Sequence, residues 1–297
     1  MACAKTIWLL GGDRRQAELA RLLAMDGHTV HTWALEEGLP AEEPGCARQP
    51  PDGLSQADCV ILPLPAADGT ALHSPLSQFH PSLRQVFDAL APGQLVLAGM
   101  ADPGLKALAQ ERGVLLLDYF AREELAVANA VPTAEGAIQI AMEQLPITLH
   151  GAQVLVLGFG RIGQATALRL AALGAEVTVA ARRWEALAWA KAVGCKGVLL
   201  SQLAESPCPF QLVVNTVPAL VLGREVLKAL PAGCLILDLA SKPGGVDRTA
   251  AQELGLPVIH ALSLPGKVAP VTAAAILQTT IYHMLQELEQ PGKEDAT

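Results

Sequence analysis

The sequence predicts an α/β protein with two doubly wound parallel-sheet domains, each Rossmann-like or flavodoxin-like, and an interdomain cleft. Short runs of Val, Ile and Leu alternate with Ala- and Leu-rich segments of helical period, a pattern typical of parallel sheets covered by helices on both faces. A glycine-rich turn directly follows one such run near the middle of the chain. The chain has 297 residues, which is enough for two cores of ordinary size.

Five apolar runs in the first half predict strands, and three amphipathic segments predict helices. The predicted strands are Thr6–Leu10, Thr29–Trp33, residues 59–63, Leu95–Ala98 and residues 114–118. The predicted helices are Arg14–Met25, residues 81–90 and Pro103–Glu111. Residues 36–55 are rich in Pro, Gly and Glu and show little periodicity, so they predict a long surface loop.

The second half repeats the strand and helix alternation. Strands are predicted at Gln153–Leu157 and residues 176–180, 197–199, Leu212–Asn215, 235–239 and 258–259. Between the two series, residues 125–145 predict a bridging helix that begins at Pro132 or Thr133, with Glu135 in its first turn. Residues 270–288 predict a long helix that crosses back to the first domain. We expect residues 1–125, completed by 271–297, to bind substrate and residues 126–270 to bind the cofactor.

Composition and charge argue against several functional classes. The 21 Lys and Arg residues against 29 Asp and Glu residues give a net charge of −8, which disfavours binding to bulk nucleic acid. No apolar run approaches the ~18 residues of a transmembrane helix. The first apolar run is also too short for a signal peptide, so we expect a cytoplasmic protein. The six cysteines lack metal-ligand spacing, so we expect reduced structural thiols and no metal site.

A glycine fingerprint after the strand Gln153–Leu157 gives the most specific local signal. It has the pattern G-x-G-x-x-G and precedes a helix that is predicted to run to Leu173. In this pattern, the first glycine permits a tight turn, the second lets the backbone approach a pyrophosphate, and the third lets the helix pack on the strand. The predicted cofactor-binding residues of this turn are Gly158, Phe159, Gly160, Arg161, Ile162 and Gly163.

The end of the following strand predicts which nicotinamide cofactor binds. NAD-binding proteins usually carry Asp or Glu there to bind the ribose hydroxyls, but this chain has Ala181, Arg182 and Arg183. Two guanidinium groups without a carboxylate favour a 2′-phosphate, so NADP is the expected cofactor. Further cofactor contacts are predicted where later strands end, at Asn215, Thr216, Val217, Pro218 and Ser241.

Several motifs together resemble the family of the dipicolinate synthase A subunit. They are residues 11–16 (GGDRRQ), 61–65 (ILPLP), 131–136 (VPTAEG), 158–163 (GFGRIG), 215–218 (NTVP), 238–245 (DLASKPGG) and 264–270 (LPGKVAP). The resemblance implies an oxidoreductase that forms pyridine-2,6-dicarboxylate during sporulation. It also implies a partner, the flavoprotein-like B subunit of dipicolinate synthase. We also expect a homo-oligomer. The substrate would be a dihydro- or hydroxy-tetrahydrodipicolinate.

A dicarboxylate substrate needs local cations, because the net charge of the chain is negative. Glu135 and Lys267 are candidates for the catalytic acid and base. Lys242 and Lys267 depart from the family pattern, so only their local positions make them candidates. The seven histidines lie outside the motifs, which argues against a 2-hydroxyacid dehydrogenase mechanism. The candidate substrate-binding residues are Arg14, Arg15, Gln16, Thr133, Lys242 and Gly266.

Three alternatives remain open, and the first, an NADP enzyme like the 2-hydroxyacid dehydrogenases, is the one that the positions of the histidines disfavour. Residues 265–272 resemble the loop near the nicotinamide in methylenetetrahydrofolate dehydrogenases, although the Tyr-x-x-x-Lys element of that family is missing. The absence of an obvious acid/base pair instead fits a non-catalytic scaffold that binds NADP and leaves the chemistry to its partner.

Overall fold

The computed structural model describes residues 4–38, 51–205 and 209–290. The chain divides into two compact units: unit 1 comprises residues 1–126 and 269–297, and unit 2 comprises residues 127–268. Each unit is built around its own parallel sheet flanked by helices. The predicted fold class, two Rossmann-like α/β domains, is confirmed.

Unit 1 contains strands β1 to β7 in chain order: β1 (Thr6–Leu10), β2 (Thr29–Trp33), β3 (Cys59–Ile61), β4 (Ala67–Asp68), β5 (Ala71–Leu72), β6 (Leu95–Ala98) and β7 (Leu115–Asp118). Five of them form a parallel sheet in the order β2-β1-β3-β6-β7, whereas β4 and β5 form a separate antiparallel pair. The helices before the boundary are α1 (Arg14–Met25), α2 (Leu83–Asp88) and α3 (Pro103–Glu111), and the boundary falls within α4 (Glu123–Gln144).

The two faces of this sheet are covered by different helices, because successive side chains of a strand point to opposite faces. On one face, Trp8 and Leu10 belong to a core with side chains of α2 and α3 such as Phe87. On the other face, Ile7 and Leu9 belong to a core that includes side chains of α1. Long helix α10 (Pro270–Glu289) adds to this second core Ala274, Leu277, Ile281, Met284 and Leu285.

Unit 2 contains the remaining strands: β8 (Gln153–Leu157), β9 (Glu176–Ala181), β10 (Lys196–Leu199), β11 (Leu212–Asn215), β12 (Leu235–Asp238) and β13 (Val258–His260). All pair in parallel, in the order β10-β9-β8-β11-β12-β13. The helices between them are α5 (Arg161–Ala172), α6 (Trp184–Ala192), α7 (Arg224–Lys228), α8 (Arg248–Glu253) and α9 (Leu264–Val268). The strand order reverses between β8 and β11, which is where dinucleotides bind in sheets of this kind.

Helix α4 begins earlier than the sequence analysis predicts. We expected a helix entrance at Pro132 or Thr133, but α4 runs without a break from Glu123 and contains Pro132 in its interior. The acidic residues Glu123 and Glu124 occupy its first turn, where the helix dipole favours them. Pro132 has no N–H for the helical ladder, and next to it the Thr133 hydroxyl donates to the Asn129 carbonyl at 2.7 Å. The prediction of a helix start at Pro132 or Thr133 was therefore wrong.

The predicted surface loop at residues 36–55 is described in part. Glu36–Gly38 and Leu54–Gln56 are short 3₁₀ turns. Residues 39–50 lie outside the described residues, so the prediction for them stays a prediction. The pair β4 and β5 was not predicted, because strands of two residues carry too little periodicity to detect.

Candidate functional site

The turn between β8 and α5 is shaped as a dinucleotide cradle. Gly158 has a φ of +90°, and a Cβ there would lie 2.6 Å from the Thr216 hydroxyl oxygen. A Cβ on Gly163 would overlap the backbone of Gly158, so the close approach of helix and strand depends on this glycine. A Cβ on Gly160, by contrast, would meet no atom within 4 Å. The fold itself requires the first and third glycines, whereas the second borders open space that fits a pyrophosphate.

No side chain caps the N-terminus of α5, since Gly160 stands at the N-cap position. The first N–H groups of a helix lack intrahelical partners and carry a partial positive charge, so they favour an anion here. Arg161 and Ile162 begin α5, and the Phe159 carbonyl accepts a hydrogen bond from the Gln164 side chain at 3.0 Å. This geometry fits the predicted role of the turn in binding a nicotinamide dinucleotide.

The two arginines after β9 differ in their surroundings. Ala181 is buried as the last residue of β9, and both arginines are exposed. Arg183 pairs with Glu185 through atoms 3.5 Å apart, which partly neutralises it. Arg182 has no side-chain partner within the part of the chain that the structure describes. Arg182 is therefore the less compensated cation for a 2′-phosphate.

A buried polar pair supports the ends of β11 and β12. Asn215 and Asp238 are fully buried, and the Asn215 amide nitrogen donates to Asp238 Oδ1 at 2.8 Å and to the Val217 carbonyl at 3.1 Å. Thr216 donates from its hydroxyl to the Leu157 carbonyl at 2.8 Å, which ties this loop to the Gly158 turn. The Asn215 side chain is thus used inside the protein, where it fixes the loop through both the nitrogen and the carbonyl of Val217.

Asp238 holds the loop that follows β12. Its carboxylate accepts from the backbone nitrogens of Ala240 at 3.2 Å and Gly245 at 2.9 Å, in addition to Asn215. Gly244 has a φ of +92°, and a Cβ there would overlap the carboxylate. Sequence reasoning did not select Asp238 as a site residue. The available signal was a carboxylate at the end of an otherwise apolar strand.

The carboxyl edge of the unit 1 sheet holds a second polar cluster. Asp13 caps α1 and binds Arg15 through both carboxylate oxygens, at 3.0 Å to Nε and 2.7 Å to Nη2. Arg15 Nη2 also donates to the Leu64 carbonyl at 2.6 Å. Burial lowers the pKa of nearby His73, whose carbonyl accepts from the Gly12 nitrogen at 2.8 Å. His73 belongs to no motif, so nothing in the sequence pointed to it.

The other predicted substrate residues are spread over both units. In unit 1, Arg14 is exposed, whereas Gln16 is buried and donates its amide to the Ile61 carbonyl at 3.0 Å. In unit 2, Thr133 lies on α4, Lys242 lies exposed after β12, and Gly266 lies on α9. The burial of Gln16 shows that part of the GGDRRQ motif serves packing.

The two catalytic candidates, Glu135 and Lys267, are both exposed. Glu135 Oε1 lies 3.4 Å from Arg169 Nε, an ion pair between α4 and α5. Asp118, at the end of β7, accepts from three backbone nitrogens, those of Met100, Ala101 and Phe120. These contacts give Asp118 a structural role, so it is not a candidate for proton transfer.

Three cysteines in the described residues, Cys59, Cys195 and Cys234, are buried and form no disulfide. Burial raises the pKa of the Cys59 thiol to about 12, so this thiol is unreactive at neutral pH. Cys3, Cys46 and Cys208 lie outside the described residues. Within the same limits, no cluster of His, Cys, Asp and Glu could hold a metal ion. No helix there is both long and apolar enough to cross a membrane.

Comparison with known proteins identifies the family. The family model for the N-terminal domain of the dipicolinate synthase A subunit matches residues 6–120. The chain is 34% identical to the dipicolinate synthase A subunit of Bacillus subtilis (strain 168) over 97% of its own length and 98% of that protein. The chain belongs to the dipicolinate synthase A-subunit family. The resemblance that the motifs predicted is thereby confirmed.

Solved structures agree with this membership in the dipicolinate synthase A-subunit family. The A subunit from Bacillus halodurans superposes with a TM-score of 0.86 at 30% identity, covering 95% of this chain and 97% of that chain. The A chain from Bacillus subtilis superposes with a TM-score of 0.85 at 32% identity, covering 97% and 98%. A transhydrogenase from Sinorhizobium meliloti, at 17% identity, a TM-score of 0.70 and 95% and 94% coverage, shares the fold.

A second family model, "D-isomer specific 2-hydroxyacid dehydrogenase, NAD binding domain", matches residues 117–236. This range contains the Gly158 turn and the ends of β9 and β11, where the sequence predicts cofactor contacts. Membership in the dipicolinate synthase A-subunit family and this dehydrogenase-type domain together indicate an oxidoreductase with a nicotinamide cofactor.

Proposed function

We propose that the chain is the NADP-dependent oxidoreductase component that forms pyridine-2,6-dicarboxylate, in sporulation, from a dihydro- or hydroxy-tetrahydrodipicolinate. The observation that carries this proposal is the 34% identity to the A subunit of dipicolinate synthase along 97% of the chain. The open space beside Gly160 supports it, because a dinucleotide pyrophosphate needs such space next to a helix N-terminus.

The chemistry is a two-electron oxidation. A dihydrodipicolinate loses one hydride and one proton to become the aromatic pyridine, and a hydroxy-tetrahydro precursor also loses one water. The Gly158 turn and Arg182 would hold NADP, whose nicotinamide C4 would supply the hydride acceptor. The protein itself orients the ring, binds the carboxylates and accepts the proton. Glu135 and Lys267 remain the proposed groups for proton transfer, and Arg14, Arg15 and Lys242 the proposed carboxylate ligands.

The residues around the end of β9 support a preference for NADP over NAD. Ala181 stands where an NAD-binding protein carries a carboxylate, and Arg182 follows it with its guanidinium unpaired in the described chain. A 2′-phosphate there would gain charge-assisted hydrogen bonds and meet no carboxylate at residue 181.

A partner is part of the proposal. The relatives carry the name of one component of a synthase with more than one kind of polypeptide. We therefore propose that this chain works with the flavoprotein-like B subunit of dipicolinate synthase and that it forms homo-oligomers. If the purified chain forms NADPH by itself, it is the catalyst. If NADPH forms only with the partner present, and still forms when the Gly158 turn of this chain is disrupted, this chain is a scaffold.

The deciding experiment measures NADPH formation by the purified chain on freshly generated dihydrodipicolinate, with and without the flavoprotein-like partner. We expect turnover that is lost in Gly160→Val, and pyridine-2,6-dicarboxylate as the product by mass spectrometry. A 2-hydroxy acid and methylenetetrahydrofolate serve as comparison substrates. Turnover of either one, with none on dihydrodipicolinate, would contradict the proposed substrate.

A further inference from the structure

Unit 2 has a second polar feature besides the dinucleotide cradle. An open depression of about 560 Å³ lies at the ends of β12 and β13 and is lined by Lys242, Pro243, Arg248 and His260. Neither Lys242 nor Arg248 has a side-chain partner within the described part of the chain. Most other arginines in the described residues pair with carboxylates. Two cations without such a partner beside one depression are therefore unusual in this protein.

The carboxylates near this depression already accept hydrogen bonds from other groups. Asp238 lies buried next to the loop, and its two oxygens accept three hydrogen bonds, from Asn215, Ala240 and Gly245. Asp247 caps α8 and accepts from the Ala250 nitrogen at 2.9 Å. Neither carboxylate pairs with Lys242 or Arg248, so the two cations keep their capacity to bind an anion.

The His260 ring and the loop after β12 are held in place by contacts within the protein. His260 Nε2 lies 2.8 Å from the Ala240 carbonyl, and because a carbonyl only accepts, Nε2 is the donor and the ring is fixed. A Cβ at Gly244 would lie 3.5 Å from His260 Cε1, so the ring packs beside this loop. The Gly245 carbonyl accepts from the nitrogens of Val221 and Leu222, which ties the loop to the segment after β11.

The position of the depression in the unit 2 sheet indicates which anion it binds. Arg182 follows β9, whereas Lys242 follows β12, three strands away in the order β9-β8-β11-β12. Strands are spaced ~4.8 Å apart, so this separation is about 14 Å. A dinucleotide whose 2′-phosphate lies at β9 crosses the sheet at the Gly158 turn and has its nicotinamide toward β11 and β12. An anion beside β12 and β13 therefore belongs with the nicotinamide end, where a substrate binds.

We propose that this depression binds a carboxylate of the dicarboxylate substrate, with Lys242 and Arg248 as its cationic ligands and His260 as a fixed wall. The inference rests on the proposed function and deepens it, because Arg248 and His260 were not among the predicted site residues.

The test is calorimetric titration of the full chain with pyridine-2,6-dicarboxylate, with and without saturating NADP. We expect Lys242→Ala and Arg248→Ala each to weaken binding about tenfold, the equivalent of 1.4 kcal/mol, and Arg248→Lys to restore part of it. The matched control is Lys228→Ala, which also removes one exposed positive charge from unit 2, but from a lysine that pairs with Glu225 and does not line the depression. NADP affinity should stay unchanged in all four variants.

The results of this titration distinguish a wrong site from a wrong substrate. If the chain binds pyridine-2,6-dicarboxylate and both alanine variants stay within twofold of wild type, the depression is not the site, while the proposed function stands. If the chain binds only another dicarboxylate, such as phthalate, with the expected loss in both variants, the site stands and the proposed substrate is wrong. If inorganic phosphate competes equally well, or if no dicarboxylate binds at all, the inference is overturned.

Discussion

The Asn215 side-chain amide donates to the Asp238 carboxylate at 2.8 Å, between two fully buried residues at the ends of neighbouring parallel strands. Asn215 also accepts from the Val217 nitrogen in the loop after β11, and Asp238 also accepts from the Gly245 nitrogen in the loop after β12. The bonds of this pair therefore link these two loops, and the Thr216 hydroxyl ties the first of them to Leu157, directly before the Gly158 turn.

Asp238→Asn should destabilise the protein even though it preserves volume. Both carboxylate oxygens accept hydrogen bonds, so an amide nitrogen in either position would face a donor. A buried donor left without a partner costs about 1–3 kcal/mol in unfolding free energy, which urea denaturation measures. Asp247→Asn is the matched control, since asparagine caps a helix as well as aspartate does. Equal stability of the Asp238→Asn variant and wild type would contradict this account.

Gly160→Val should abolish cofactor binding and leave the fold intact. Gly160 has a φ of −81°, which valine adopts, and its Cβ would enter the space expected for the pyrophosphate. Loss of a glycine N-cap costs only about 1 kcal/mol of stability. Gly163→Val gives the contrast, because its Cβ would overlap the Gly158 backbone and disturb folding. Circular dichroism and NADP titration measure the two effects; micromolar binding by a folded Gly160→Val protein would place the cofactor elsewhere.

Arg182→Ala should lower affinity for NADP about tenfold or more and leave affinity for NAD unchanged, because only NADP carries the 2′-phosphate. Arg183→Ala should have a smaller effect, since Arg183 is already paired with Glu185. Calorimetry on wild type and both variants with the two cofactors tests this. The expectation fails if wild type binds NAD and NADP equally well.

The sequence sufficed for the strands of the two parallel sheets and for the Gly158 turn, because both follow from local patterns. The run Gln153–Leu157 and its glycines predicted β8, the turn and α5 together, and the structure has them at those residues. The polar cluster of Asp13, Arg15 and His73 depends on contacts between loops far apart in the chain, so no spacing in the sequence predicted it.

The start of α4 shows how a strong local signal can mislead. Pro132 followed by Thr133 and Glu135 has the composition of a helix entrance, yet the helix continues through it. Tertiary packing buries Pro132 and the neighbouring Ala130 and Ala134, and it outweighs the missing backbone hydrogen bond. Arg248 and His260 were missed for another reason: their common depression exists only once β12 and β13 pair.

Glu287→Gln should reduce stability at neutral pH but not in acid. Arg122 binds Glu287 on α10, and this hydrogen bond lowers the pKa of the Glu287 carboxyl below its ordinary value of 4.5. A lowered folded-state pKa stabilises the protein above about pH 4.5, and this contribution is lost as the pH falls through the folded-state pKa. We expect a loss of about 0.5–1 kcal/mol at pH 7, since the pair is partly exposed.

Urea denaturation of Glu287→Gln and wild type at pH 7 and near pH 3 measures this difference. Glu143→Gln is the control, because Glu143 is exposed and has no cationic partner among the described residues. Its stability should follow wild type at both pH values. A loss in Glu287→Gln that is the same at both pH values would show that the ionised carboxylate is not the cause.

Arg15→Ala should weaken binding of pyridine-2,6-dicarboxylate by roughly 1.5–3 kcal/mol if Arg15 binds a substrate carboxylate, and it should leave NADP affinity unchanged. Asp13 and Leu64 already engage Nε and Nη2, so the substrate would meet the remaining nitrogen, Nη1. The same substitution removes the buried bond to the Leu64 carbonyl and should cost stability. Unfolding free energy is therefore measured beside binding, and Arg15→Lys, which keeps the charge, is included.

Arg14→Ala tests the exposed neighbour, whose loss should leave stability unchanged. If Arg14→Ala and Arg15→Ala both keep full affinity and turnover in folded protein, unit 1 does not bind the carboxylate, and the cations at Lys242 and Arg248 become the only proposed ligands left.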